Sequence, residues 1–217
     1  IAYTTNAQGK GPAWINPLFE DAAEFGYGMY LGVKQIREKL AKLMRQAIET
    51  QIDPQIKEAF INWLEVMDDG EKSKTASRKI LDVLENINYH DNEFIVEILK
   101  NKDHLVKKSF WAIGGDGWAY DIGYGGLDHV LAMGDDINIF VIDTELYSNT
   151  GGQCSKSTPT ASVAKLAAAG KKLKKKDLGL MAISYGYVYV AQIAMGADMN
   201  QAIKAICEAE AYKGPSL

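Results

Sequence analysis

The stretch GGDGWAYDIGYGGLDHVLAMGDDINIFVIDTELYSNTGGQ, Gly114 to Gln153, decides the fold. The mostly apolar run SFWAI (109–113) precedes it, and a second run, INIFVID (137–143), lies inside it. Between them, residues from about 119 to 133 carry a helical pattern. This order reads as strand, crossover helix and parallel strand. In a parallel pair both carboxyl ends lie on one sheet edge, where open α/β sheets hold ligands. The polar turns Gly114–Gly117 and Thr144–Asn149 are therefore expected side by side, placed to clamp one ligand jointly.

The residue types in the two turns say what that ligand is. Glycines around Asp116 let a backbone come close to it. Free N–H groups at the start of the following helix favour a phosphate. The Asp116 carboxylate, the Thr144 hydroxyl and nearby carbonyls are hard oxygen donors suited to Mg²⁺. A bare phosphate beside Asp116 would be repelled. A diphosphate with Mg²⁺ at a helix N-terminus would be held. Trp118 directly follows the turn and is read as an aromatic wall at the ligand, with core packing as the alternative.

Outward from this unit, LGLMAIS (178–184) reads as a further strand. Helices are expected over 160–171 and within 188–212. In YGYVYVAQ (185–192), Tyr185, Tyr187 and Tyr189 share a strand-like parity, while Gly186 argues for a turn into a helix. Toward the amino end, residues 1–17 read as an ordered loop and Leu18 to about Thr50 as helical. Gly26, Gly28 and Gly32 in that segment leave room for a close neighbour. Asp53-Pro54 reads as an N-cap followed by a first-turn proline. Helices follow over 55–67, which Gly70 ends, over 75–87 and over 92–100. Residues from about 35 to 105 thus form a charged, helical stretch.

Bulk properties narrow the function classes. The 217 residues are 47% hydrophobic and 24% charged, enough for one large α/β domain or two small ones. A net charge of −4 gives no support for a nucleic-acid binder. No apolar run reaches the roughly 18 residues of a membrane span. Cys154 and Cys207 are far apart and read as two reduced thiols. His90, His104 and His129 have no metal-ligand spacing. The lysines of KKLKKK (171–176) read as a solvated face, with a docking patch for an acidic partner as the alternative. The chain begins at Ile1 and stops at AYKGPSL, as expected of a piece of something longer.

Gly115-Asp116-Gly117 followed by the Thr144–Asn149 loop resembles the thiamin diphosphate motif. KKSFWAIGGDGWAYDIGYGGLDHVLA, DTELYSNTGGQ, SKSTPTASVAKLAAAGK, KKDLGLMAISYGYVYVAQIAMGA and EAEAYKGPSL resemble pyruvate:ferredoxin (flavodoxin) oxidoreductases, as does YTTNAQGKGPAWINPLFEDAAEFGYGM near the amino end. The resemblance covers nearly the whole chain and is weakest over 35–105. It implies an α/β fold: a mostly parallel sheet with helices on both faces, forming a single thiamin diphosphate-binding domain over 1–217, truncated at both ends, with the helical insert at about 35–105.

The implied larger enzyme is cytoplasmic and homodimeric. It decarboxylates pyruvate oxidatively to acetyl-CoA, using coenzyme A, and passes electrons through iron–sulfur clusters to ferredoxin or flavodoxin. The resemblance makes Asp116, the Thr144 hydroxyl and the Leu146 carbonyl Mg²⁺ ligands. Gly115, Gly117 and Trp118 would line the diphosphate side, Glu145, Tyr147 and Ser148 would complete the cofactor loop, and Asn149 would reach the thiazolium end, where pyruvate reacts. The cluster cysteines and the pyrimidine-binding domain expected in that family are absent from this sequence, so the chain alone is expected to have no turnover. Another 2-oxoacid:ferredoxin oxidoreductase and a non-catalytic assembly module are the alternatives.

Overall fold

Two short strands set the frame. In the computed structural model, which describes residues 5–9, 11–13, 15, 21–87 and 92–217, β1 (Trp111–Gly115) pairs in parallel with β2 (Asn138–Ile142). The register sets Trp111 opposite Asn138 and Gly115 opposite Ile142, so the carboxyl ends coincide. The crossover is a π-helical turn, Gly117–Ile122, followed by α5 (Tyr124–Ala132). The Gly123 N–H reaches back to the Trp118 carbonyl (2.9 Å), the wide ring that separates turn from helix. Leu127, Val130 and Leu131 of α5 are buried, as are Ala112, Ile137 and Ile139 at the strands.

The sheet widens on the β2 side. Ile139 donates to Ser216 O (2.9 Å) and Ser216 to Ile137 O (3.1 Å); Leu217 donates to Tyr189 O (2.8 Å) and Ala191 to Leu217 O (3.0 Å). Both added bridges are parallel, giving the order β1, β2, 215–217, 189–191. The buried Ser216 hydroxyl donates to Asn138 Oδ1 (2.6 Å), tying the third segment to β2 by side chain as well.

The third strand is therefore not where the sequence placed it. Residues 178–183 form α6 (Leu178–Ile183), and the extended segment lies at 189–191, beyond a turn at Gly186 (φ +77°). Asp177 caps α6 by accepting the Leu180 N–H (2.8 Å). In LGLMAI, Ile183 is the sole β-branched residue, so little resists the helix. The helix expected within 188–212 is confined to α7 (Met199–Ala211).

The alanine-rich segment 160–171 is not helical either. Its backbone groups bond outside any helical ladder: Lys165 N–H to Gly152 O (3.1 Å), Lys165 O to the Cys154 N–H (2.9 Å), and, across the segment, Lys171 O to the Ala161 N–H (2.8 Å). Ala161 and Leu166 have φ of +67° and +66°, which no right-handed helix contains. Tertiary partners override the helix propensity of the alanines.

The chain divides into two compact units, residues 28–110 and residues 1–27 with 111–217. The first is helical and comprises most of α1 (Ala22–Glu49), with α2 (Pro54–Val66), α3 (Gly70–Asn86) and α4 (Glu93–Lys100). Asp53, Asp69 and Asn92 each cap the next helix through a side-chain oxygen. The Asp53-Pro54 start stands as read. Gly70 does not end a helix; α2 stops at Val66, and Gly70 opens α3 behind the Asp69 cap. Leu40, Met44, Phe60, Trp63, Ile80, Ile95 and Ile98 fill the core. The Trp63 indole donates to Leu105 O (2.9 Å), which also accepts from the buried Arg37 guanidinium (2.8 Å).

In the sheet unit, a Cβ on Gly26 would sit 3.4 Å from the Ala112 Cβ; in the helical unit, Gly28 and Gly32 have open space where a Cβ would stand. Leu18, His90 and part of the loop expected over 1–17 lie outside the described residues. Cys154 and Cys207 are unbridged. Among the described residues, no helix is long and apolar enough to cross a membrane, and no cluster of three His, Cys, Asp or Glu side chains could hold a metal.

Candidate cofactor site

Because β1 and β2 end in register, the chain delivers Asp116 and Asp143-Thr144 to the same edge. Asp116 is 1% exposed. Its Oδ1 accepts the Thr144 hydroxyl (2.9 Å) and its Oδ2 accepts the Ser155 hydroxyl (2.6 Å). The Thr144 Oγ1 also lies 3.1 Å from the Leu146 carbonyl and 3.0 Å from the Ser148 hydroxyl. One hydroxyl proton cannot serve the Asp116 carboxylate and the Leu146 carbonyl at once.

The result is a point where a carboxylate oxygen, a carbonyl oxygen and two hydroxyls converge. Among the described residues Asp116 makes no ion pair. A buried carboxylate facing other acceptors is costly unless a cation joins it. The donor set therefore fits a small hard divalent ion, with space for further oxygens from a ligand and water.

The flanking residues show what each glycine permits. The Trp118 ring lies against Gly114, and a Cβ there would overlap it. The Tyr147 ring likewise occupies the space a Cβ on Gly117 would need. Nothing stands within 4 Å of where a Cβ on Gly115 would be, so the open side of the turn is at Gly115. Trp118 itself is fully buried, with its indole N–H unpartnered, so it underlies the turn rather than facing solvent. Asn149 is exposed in the 3-10 turn Ser148–Thr150, beyond the short hairpin strand β3 (Leu146–Tyr147), which pairs with β4 (Gln153–Cys154).

Glu145 is exposed and adopts a φ of +64°, unusual for a residue with a side chain. Two bonds hold it there: its N–H to Asp143 Oδ1 (3.1 Å), and its carbonyl accepting the Thr158 hydroxyl (2.5 Å). Asp143 Oδ2 accepts Lys175 Nζ (2.6 Å) and the Tyr120 hydroxyl (3.0 Å), and Asp143 Oδ1 accepts the Ser157 hydroxyl. Burial pushes the Asp143 carboxyl up, but the bonds from Lys175, Ser157 and Tyr120 outweigh it and hold the group below its usual range. Burial, reinforced by Asp143, pushes the Tyr120 phenol well above its ordinary value.

These supporting residues escaped sequence reading. Ser155, Ser157 and Thr158 sit in the hydroxyl-rich run SKSTPT (155–160), whose density of short donors was the available signal. The lysine run is not uniformly solvated. Lys171 donates to Ser155 O, Lys156 O and Thr158 O, Lys175 pairs with Asp143, and Lys176 lies 3.1 Å from the Tyr124 ring centroid; Lys172 and Lys174 remain exposed.

A cleft of about 600 Å³ borders this network at Tyr120, Asp143, Glu145 and Lys175 and runs along 189–193 and 216–217. It does not include Asp116, Thr144 or Leu146. The site is accordingly defined by the convergent oxygens and not by this cleft.

The chain is similar in sequence to known proteins. Residues 98–217 match the family described as thiamine pyrophosphate enzyme, C-terminal TPP binding domain, and residues 36–90 match the pyruvate-ferredoxin oxidoreductase insertion domain. The pyruvate-flavodoxin oxidoreductase of Klebsiella pneumoniae is 53% identical over 217 residues, covering 100% of this chain and 18% of the relative. The pyruvate:ferredoxin oxidoreductase of Moorella thermoacetica is 54% identical over 219 residues, covering 99% of this chain and 19% of the relative. A solved 2-oxoglutarate:ferredoxin oxidoreductase from Magnetococcus marinus aligns at 26% identity with a TM-score of 0.45, over 49% of this chain and 37% of that one. The chain spans about a fifth of the length of the curated relatives it matches. It belongs to the thiamine pyrophosphate enzyme family, with the C-terminal TPP-binding domain over residues 98–217.

Proposed function

We propose that the chain is a single thiamin diphosphate-binding domain with a helical insert at about 35–105, serving an enzyme that oxidatively decarboxylates pyruvate. The observation that carries this reading is the convergence of Asp116 Oδ1 and Leu146 O on the Thr144 hydroxyl. In this assignment Asp116, Thr144 and Leu146 hold Mg²⁺. Gly115 and Gly117 admit the diphosphate to the turn, and Trp118 supports that turn from beneath. Glu145, Tyr147 and Ser148 shape the second loop, whose bend is fixed by Asp143 and Thr158. Asn149, exposed at the tip, is placed to hydrogen-bond the reacting 2-oxo acid. When bound, thiamin diphosphate supplies the nucleophilic carbon and the electron sink for decarboxylation.

The names of the relatives support pyruvate as substrate and ferredoxin or flavodoxin as acceptor. Coenzyme A as acyl acceptor, iron–sulfur clusters as electron carriers, a homodimeric assembly and a cytoplasmic location complete the proposal. Melting the full-length protein with and without thiamin diphosphate and Mg²⁺ tests it. The pair together should raise the melting temperature, and Asp116→Ala should abolish the rise. An undiminished rise in Asp116→Ala would contradict the assignment.

A further inference from the structure

Resting on that site reading, we infer that Ser155 is a positioning residue for the metal-binding carboxylate, and that Lys171 holds Ser155 in place. Asp116 has a planar carboxylate, so fixing one oxygen aims the other. Ser155 fixes Oδ2 through a 2.6 Å bond, which leaves Oδ1 directed at the Thr144 hydroxyl. Ser155 is 4% exposed and its hydroxyl is itself oriented, accepting the Ser157 N–H (3.1 Å).

The turn that carries Ser155 also grips the second loop. The Ser157 hydroxyl donates to Asp143, and Thr158 Oγ1 donates to Glu145 O (2.5 Å) while accepting the Ser155 N–H (2.9 Å). Three of its four carbonyls face one ammonium. Lys171 Nζ donates to Ser155 O (3.1 Å), Lys156 O (3.0 Å) and Thr158 O (2.5 Å), using all three of its donors. One lysine thereby fixes a four-residue turn whose hydroxyls set the spacing between the two ligand-bearing loops. Groups that orient a metal ligand typically contribute about 10–100-fold to metal affinity. Mg²⁺ demands near-ideal octahedral geometry while Ca²⁺ tolerates a looser cage, so loosening this turn should penalise Mg²⁺ more.

The test is calorimetric titration of Mg²⁺, and separately Ca²⁺, into the full-length protein at saturating thiamin diphosphate. The fold of each variant is followed by circular dichroism. Ser155→Ala and Lys171→Met should each raise the Mg²⁺ half-saturation about 10-fold or more, with a smaller change for Ca²⁺ and a wild-type spectrum. Asp116→Ala is the control on the site itself. If it loses metal-dependent binding while Ser155→Ala and Lys171→Met keep wild-type half-saturation, the positioning role is overturned and the site reading stands. If Asp116→Ala titrates like wild type, the site reading falls and this inference with it. Should Ser155→Ala fail to fold, Ser155→Cys keeps the volume with a weaker donor. Its Mg²⁺ half-saturation should also rise, and a wild-type value would overturn the role.

Discussion

The helical unit and the sheet unit bury different things. The helical unit encloses a continuous apolar cluster in which Phe60, Trp63, Met44 and Ile80 have no exposed surface. The sheet unit encloses Asp116, Asn138, Ser155, Ser157, Thr158 and Ser216 alongside a smaller apolar layer under α5. Apolar burial is non-directional and tolerates modest shifts. Buried hydroxyls and carboxylates require their partners at fixed distances. The first arrangement stabilises a fold; the second holds two loops where oxygens must meet. Mutations should separate the two roles.

The largest effect is expected at Trp63. Trp63→Ala should destabilise the helical unit by about 3–5 kcal/mol, read from denaturant melts. It should leave the affinity of the folded fraction for Mg²⁺ and thiamin diphosphate unchanged. A change in that affinity would break the division of labour. Next comes Gly117→Ala, which forces a methyl group into the Tyr147 ring. Overpacking of this kind costs about 1–3 kcal/mol, and here cofactor affinity should fall as well, because the second loop must shift. Wild-type affinity in Gly117→Ala would show that the Gly117–Tyr147 contact does not set the loop.

The difference between the units also explains what could be read in advance. The β1–α5–β2 frame was legible because glycine turns, apolar runs and their spacing are local signals. So was the Asp53-Pro54 helix start. The segments 160–171 and 178–184 were misread for opposite reasons. The former has helical composition, but its backbone groups find partners at Gly152, Cys154 and Ala161. The latter is too short and apolar for periodicity to separate strand from helix, and the Asp177 cap decides it. Asp116 and Thr144 were legible as candidates because their types and positions carry chemistry. Ser155 and Lys171 were not, since their significance exists only through space.

The smallest effect concerns Tyr185, whose hydroxyl donates to Asp128 Oδ1 (2.7 Å). That bond first, and partial burial second, push the phenol up to about 12. The unfolded chain releases this proton earlier, near the ordinary tyrosine value of about 10. The contribution to stability is therefore complete below that value and is lost as pH rises from there toward 12. In a ¹³C-tyrosine spectrum at about pH 11, the Tyr185 Cζ signal should remain that of the neutral phenol. Asp128→Ala should move it toward the phenolate. A Tyr185 already ionised in the wild type would remove this polar tie from the sheet unit.

The central claim is that Asp116 and the Thr144–Leu146 segment grip one metal-bridged diphosphate, and replacing Mg²⁺ with Mn²⁺ tests it most directly. Crystals of the full-length protein with thiamin diphosphate and Mn²⁺ should show one anomalous peak bonded to Asp116 Oδ1, Thr144 Oγ1 and Leu146 O, and to diphosphate oxygens. A peak elsewhere on the cofactor, with the Asp116 carboxylate still held only by the Thr144 and Ser155 hydroxyls, would contradict it.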